Sequence, residues 1–123
     1  MYAAFLSIRD RLDRAGIFLS GLCVIHCVLG LVIVAGLGLG GGALLAPAVH
    51  RIGLALAILV GLLTIGIGVR RHGRMKPLVI AGIGLGLMGL GLVVAHGLAE
   101  AAVTIFGVGL VAWAHMLNLR HAR

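Results

Sequence analysis

Ile52-Gly-Leu-Ala-Leu-Ala-Ile-Leu-Val-Gly-Leu-Leu-Thr-Ile-Gly-Ile-Gly-Val69 contains no charged residue and only one hydroxyl, that of Thr64. Such a run matches the roughly 20 apolar residues a helix needs to cross the hydrocarbon of a bilayer. Three comparable runs occupy residues 16–39, 78–96 and 101–117. Hydrophobic residues make up 62% of the 123 and charged residues 11%, well below the roughly 25% charged of a soluble domain. A water-soluble fold of this size has too little interior to bury so much apolar surface. The expected architecture is therefore all-α: an integral membrane four-helix bundle forming one domain over 1–123, its neighbouring helices made antiparallel by short connections.

The formal charge of +7 does not describe a phosphate-binding face, because the ten Lys and Arg residues sit in short clusters between the apolar runs. No nucleic-acid partner is expected; lipid is. Arg9, Arg11 and Arg14 precede the first run, Arg70, Arg71, Arg74 and Lys76 follow the second, and Arg120 and Arg123 close the chain. The remaining two connections offer only Arg51. The positive-inside rule then places both termini and the middle loop in the cytoplasm. A cleavable signal peptide is a poorer reading of the N-terminus, since the first run exceeds the 7–15 residues of a signal h-region.

Local punctuation supports these boundaries. Gly40-Gly41-Gly42 followed by Pro47 reads as a turn or loosely wound helix end. Asp13 is placed to cap the first helix, and Lys76-Pro77 to open the third. Glycine recurs in every apolar run, and Gly82 with Gly86 forms a small-xxx-small pair of the kind that lets membrane helices approach closely. Gly84-Leu-Gly86-Leu-Met-Gly89 matches a dinucleotide fingerprint by letter only. No strand precedes it, so it reads as helix packing.

Chemistry concentrates in Cys23-Val24-Ile25-His26-Cys27 of the first run. Offsets of three and four put both thiols and the imidazole on one arc of a helix about 100° wide. Gly16, Ser20 and Gly30 continue the cysteine face, which is expected to point into the bundle. An imidazole at membrane depth is costly and usually functional. Thiolate and imidazole suit soft or borderline cations such as Hg(II), Cu(I) and Zn(II), whereas Mg(II) and Ca(II) want oxygen. Ligation strips protons from thiols, so affinity should fall on acidification. The candidate metal ligands are Cys23, Cys27, His26 and His115, with His96 and His50 weaker ones near the outer helix ends. Asn118 stands one turn after His115, where it either fixes that ring or caps the helix, and the cap is the plainer reading. His72 and His121, among arginines, read as solvated.

Three stretches carry a resemblance: Leu12-Asp13-Arg14-Ala15-Gly16, Ser20-Gly21-Leu22-Cys23-Val24-Ile25-His26-Cys27 and Ala114-His115-Met116-Leu117-Asn118-Leu119-Arg120. The chain resembles the MerC family of mercuric-ion transport membrane proteins over nearly its whole length. The resemblance implies a multi-pass protein of the bacterial inner membrane, not an enzyme, that takes up Hg(II) through Cys23 and Cys27 and passes it toward cytoplasmic mercuric reductase. It implies no resident cofactor, only the transported or bound ion.

His26 between the cysteines, and a tail without a thiol, depart from the family pattern. Two sulfurs and one nitrogen, with His115 as a fourth ligand, would suit a tetrahedral Zn(II) site, so transport or sensing of Zn(II) or Cu(I) stands as an alternative. A membrane thiol-disulfide oxidoreductase is another, although cysteines one turn apart on an intact helix keep their Cβ atoms about 5–6 Å apart, beyond the roughly 3.5–4.5 Å of a disulfide. A small drug exporter would need an intramembrane carboxylate, and Glu100, the sole acid after Asp13, is expected at an outer loop. A second copy of the chain and a periplasmic or cytoplasmic metal carrier are the protein partners such a transporter would use.

Overall fold

The structure is a computed structural model and describes residues 1–38, 47–94 and 97–121. Four α-helices follow one another: α1 Tyr2–Leu31, continued by a π-helical turn Val32–Gly36, then α2 Pro47–His72, α3 Lys76–Gly91 and α4 Leu98–His121. The chain is an all-α membrane bundle, and no strand occurs among the described residues. Three helices are long and apolar enough to cross a membrane. α3 has 16 residues, about 24 Å at 1.5 Å per residue, and is the shorter apolar helix. The glycine-rich turn expected at residues 40–42 lies outside the described residues, as does His96.

α1 starts earlier than the capping reading of Asp13 requires. Residues 2–15 hold neither Gly nor Pro and are rich in Ala, Leu and Arg, all good helix formers, so the helix runs from Tyr2 through Asp13 without a break. Asp13 is no cap. It lies inside the helix, fully buried, with its carboxylate turned toward other helices. At the other end Gly38, at φ +66°, closes the π-helical turn in the left-handed region that glycine enters without penalty. Gly73, at φ +69°, stops α2 in the same way. Lys76-Pro77 opens α3, as the sequence suggests.

The bundle is apolar outside and holds buried polar side chains inside, beside apolar core residues such as Ile65, Val108 and Ala114. Phe18, Leu59, Leu62, Ile83, Phe106 and Trp113 are exposed, whereas Asp13, Ser20, Thr64, Thr104, His115 and Asn118 are buried. That arrangement suits hydrocarbon as the solvent, since an apolar side chain loses nothing by facing lipid while a polar one needs a partner indoors.

α3 packs most closely on α4, and α1 also lies against α4. The close approach is made by Gly84 and Gly107: a Cβ on either would come within 2.6 Å of the other's carbonyl oxygen. Gly82 and Gly86, the pair expected to do this, face away from the bundle with nothing within 4 Å. A consequence can be measured by unfolding in detergent. Gly84→Ala should lower stability by about 1–3 kcal/mol through overpacking against backbone, whereas Gly82→Ala and Gly86→Ala should hold or raise it by up to about 1 kcal/mol of helix propensity. Equal effects at all three positions would contradict this packing.

Candidate metal centre

A single stripe runs down the inner face of α1: Arg9, Asp13, Gly16, Ser20, Cys23, Cys27 and Gly30, separated alternately by four and three residues. All are buried except Cys23, which is partly so. Spacing of three and four keeps side chains on one face. Most of this face was expected from the sequence, and the structure extends it by two turns toward the N-terminus. Ser20 Oγ donates to the Gly16 carbonyl at 2.9 Å, which satisfies that hydroxyl within its own helix.

Toward the end of the bundle away from the arginine clusters, α1 and α2 bring three donors together. One ligand atom each from His26, Cys27 and His50 lies within 4.8 Å of the other two. Cys27 Sγ is 4.0 Å from His50 Nε2, and the His26 and His50 rings meet at 5.3 Å between centroids, tilted by 58°. Glu100, from the start of α4, brings Oε1 to 4.0 Å from His50 Nε2. A cavity of about 300 Å³ opens beside the group, lined by Cys23, His26, Cys27 and His50 with Met88 and Thr104. Cys23 borders this cavity but stands outside the three-donor group. Gly53 of α2 faces it, since a Cβ there would lie 3.9 Å from Cys23 Sγ. Both thiols are free.

A second polar cluster occupies the arginine-rich end, where α1, α2 and α4 converge. His115 Nδ1 lies 2.7 Å from Asp13 Oδ1, and Asn118 Nδ2 donates to Asp13 Oδ2 at 2.8 Å and to the Thr64 carbonyl at 3.3 Å. His72 Nε2 sits 3.0 Å from Asn118 Oδ1, and the His72 ring meets that of His121 edge-on at 5.3 Å. His115 is 1% exposed and Asp13 0%. The described partners of His115 are thus Asp13 and Thr64, while Cys27 and His26 gather with His50. Two sequence readings are corrected. His72 is not simply solvated, because Asn118 binds it, and Asn118 is no helix cap, because its amide bridges three other groups.

The family model described as MerC mercury resistance protein matches residues 13–120. The chain belongs to the MerC family. No curated protein and no solved structure matches it. The MerC match begins on Asp13 and ends on Arg120, so the three-donor group and the network joining Asp13, His115 and Asn118 both lie inside it.

For a MerC chain the first cluster has a clear chemical capacity. Two imidazoles and a thiolate, with a second thiol on the same cavity, form a nitrogen and sulfur donor set for soft or borderline cations. Asp13 is the participant the sequence reading missed as a site-forming group. The signal was present: three residues back along the stripe from Gly16 stands this carboxylate.

Proposed function

We infer that this chain carries Hg(II) across the bacterial inner membrane. The observation that carries the reading is the convergence of His26, Cys27 and His50 within 4.8 Å on a cavity that Cys23 also lines. Membership of a mercury resistance family supports Hg(II) as the ion. The clusters Arg9, Arg11 and Arg14, Arg70, Arg71, Arg74 and Lys76, and Arg120 support a cytoplasmic assignment for their end of the bundle. On that assignment the His50 and Glu100 end receives the ion, the cysteines carry it inward, and α3 crosses with the three longer helices. The protein acts as a transporter and not as an enzyme, with Hg(II) as its cargo.

A second reading is favoured by the donor set itself. Two imidazoles, one thiolate and the neighbouring Glu100 carboxylate are ligands that a tetrahedral Zn(II) accepts. Uptake of Hg(II), Zn(II) and Cu(I) into vesicles separates the two. Native chain should accumulate Hg(II), and both Cys23→Ser and Cys27→Ser should lose most of that uptake. Zn(II) accumulation without Hg(II) would select the second reading, and undiminished uptake of every ion in both variants would remove the thiol site altogether.

A further inference from the structure

Below the three-donor group lies a second, smaller cavity of about 10 Å³, lined by Gly16, Ser20, Cys23, Met88 and His115 among others. That volume is about one water-sized particle, enough for a bare cation but not for a hydrated one. Cys23 and Met88 line both cavities, so the wall between them carries a thiol and a thioether, the two soft donors among protein side chains.

The hydrogen-bond network behind His115 fixes which of its nitrogens is free. The Arg74 backbone N–H donates to His72 Nδ1 at 3.0 Å, so neutral His72 carries its proton on Nε2 and donates it to Asn118 Oδ1. Asn118 must then present its NH2 group to Asp13 Oδ2 and to the Thr64 carbonyl. Thr64 spends its hydroxyl proton on the Val60 carbonyl at 2.8 Å and has none for His115. Asp13 Oδ1 is left as an acceptor, so His115 donates from Nδ1. In the neutral ring the opposite nitrogen, Nε2, then keeps its lone pair. That edge of the ring lies against Gly16, and Gly16 and His115 both line the small cavity. A carboxylate gripping one imidazole nitrogen while the other is kept for a metal is the arrangement that orients histidine ligands and raises their basicity.

We propose that this small cavity is a second cation station, the next stop for an ion leaving the His26–Cys27–His50 group, and that Asp13 is the positioning residue that keeps His115 Nε2 able to receive it. The inference rests on the transport reading above. In the transfer the bonds from the ion to the His26 and His50 imidazoles and to the Cys27 thiolate break, a bond to the Cys23 sulfur forms, and the Cys23 thiol proton passes to Cys27, so charge balances while both imidazoles are released neutral. Met88 sulfur steadies the ion at the wall, and His115 Nε2 adds a neutral ligand without releasing a proton.

The test uses full-length chain in lipid vesicles containing a trapped thiol, with HgCl2 as the probe, and reads bound Hg(II) and lumenal Hg(II) separately. His115→Ala and Asp13→Asn should slow delivery to the lumen about 10–100-fold while leaving binding at the His26–Cys27–His50 group within about twofold. Met88→Leu, which keeps the volume and removes the sulfur, should slow delivery more modestly. Cys27→Ser should lose both binding and delivery. Because His115 is buried and its removal risks misfolding, Asp13→Asn carries a second readout. The Asn118 amide still needs an acceptor, so the amide introduced at position 13 turns its NH2 toward His115 Nδ1 and drives the proton to Nε2. Nitrogen NMR of labelled histidine should show His115 Nε2 change from bare to protonated. Native delivery in His115→Ala or Asp13→Asn, alongside loss in Cys27→Ser, would overturn the station and leave the first site standing. Native behaviour in Cys27→Ser would overturn both.

Discussion

Replacing Cys27 with Ser should weaken Hg(II) binding at equilibrium by about 100-fold or more, about 2.7 kcal/mol, and replacing His50 with Ala should cost a comparable amount. Cys27 Sγ and His50 Nε2 are 4.0 Å apart on different helices, a gap that a cation between them would bridge. Each ligand is useful only while the other is in place, so the double variant should lose little beyond the worse single one, with a coupling of about 0.5–3 kcal/mol in a double-mutant cycle. Competition against a thiol buffer in detergent measures all three constants. Cys23→Ser, outside the three-donor group but on its cavity, should depress equilibrium binding less than Cys27→Ser while depressing uptake as severely. Strict additivity between Cys27 and His50 would show that the two do not share an ion. Acidification should weaken native binding, since a cation displaces protons from a thiol and from any charged imidazole.

The membrane bundle and the cysteine face were legible because both are local. An apolar run declares a span by its length, and a three-and-four spacing declares a face without reference to any partner. His50 and Asp13 were harder. Each owes its place to a helix distant in sequence: His50 reaches Cys27 from 23 residues away, and Asp13 meets His115 across 102. Read locally, an Asp before an apolar run looks like a cap, and only the unbroken helix from Tyr2 shows that it is not. The glycines of α3 failed for a different reason. Gly82, Gly84, Gly86, Gly89 and Gly91 sit on a helix that is apolar all round, so composition marks no inward side. The side is decided by Gly107 and Thr104 on α4, which meet Gly84 and Gly91.

The largest structural effect should come from one methyl group. In Gly16→Ala the new Cβ would sit 2.5 Å from His115 Nε2, 2.7 Å from Cε1 and 2.8 Å from Cδ2, so it meets a whole ring edge. The ring has no retreat: Asp13 holds its far side at 2.7 Å, Thr64 Oγ1 stands 3.5 Å from the same nitrogen, and only 1% of the residue is exposed. Either α1 moves off α4 or the Asp13–His115 hydrogen bond breaks, leaving a buried carboxylate with Asn118 alone. Overpacking costs about 1–3 kcal/mol, and an under-satisfied buried charge adds about as much again. A clear fall in the unfolding midpoint in detergent should result, together with near-complete loss of Hg(II) delivery. His115→Ala in the same chain supplies the control, because removing the ring removes the clash. The double variant should therefore be no less stable than His115→Ala alone. If Gly16→Ala instead unfolds at the native midpoint, His115 is not seated against α1, and the second cation station loses its geometry.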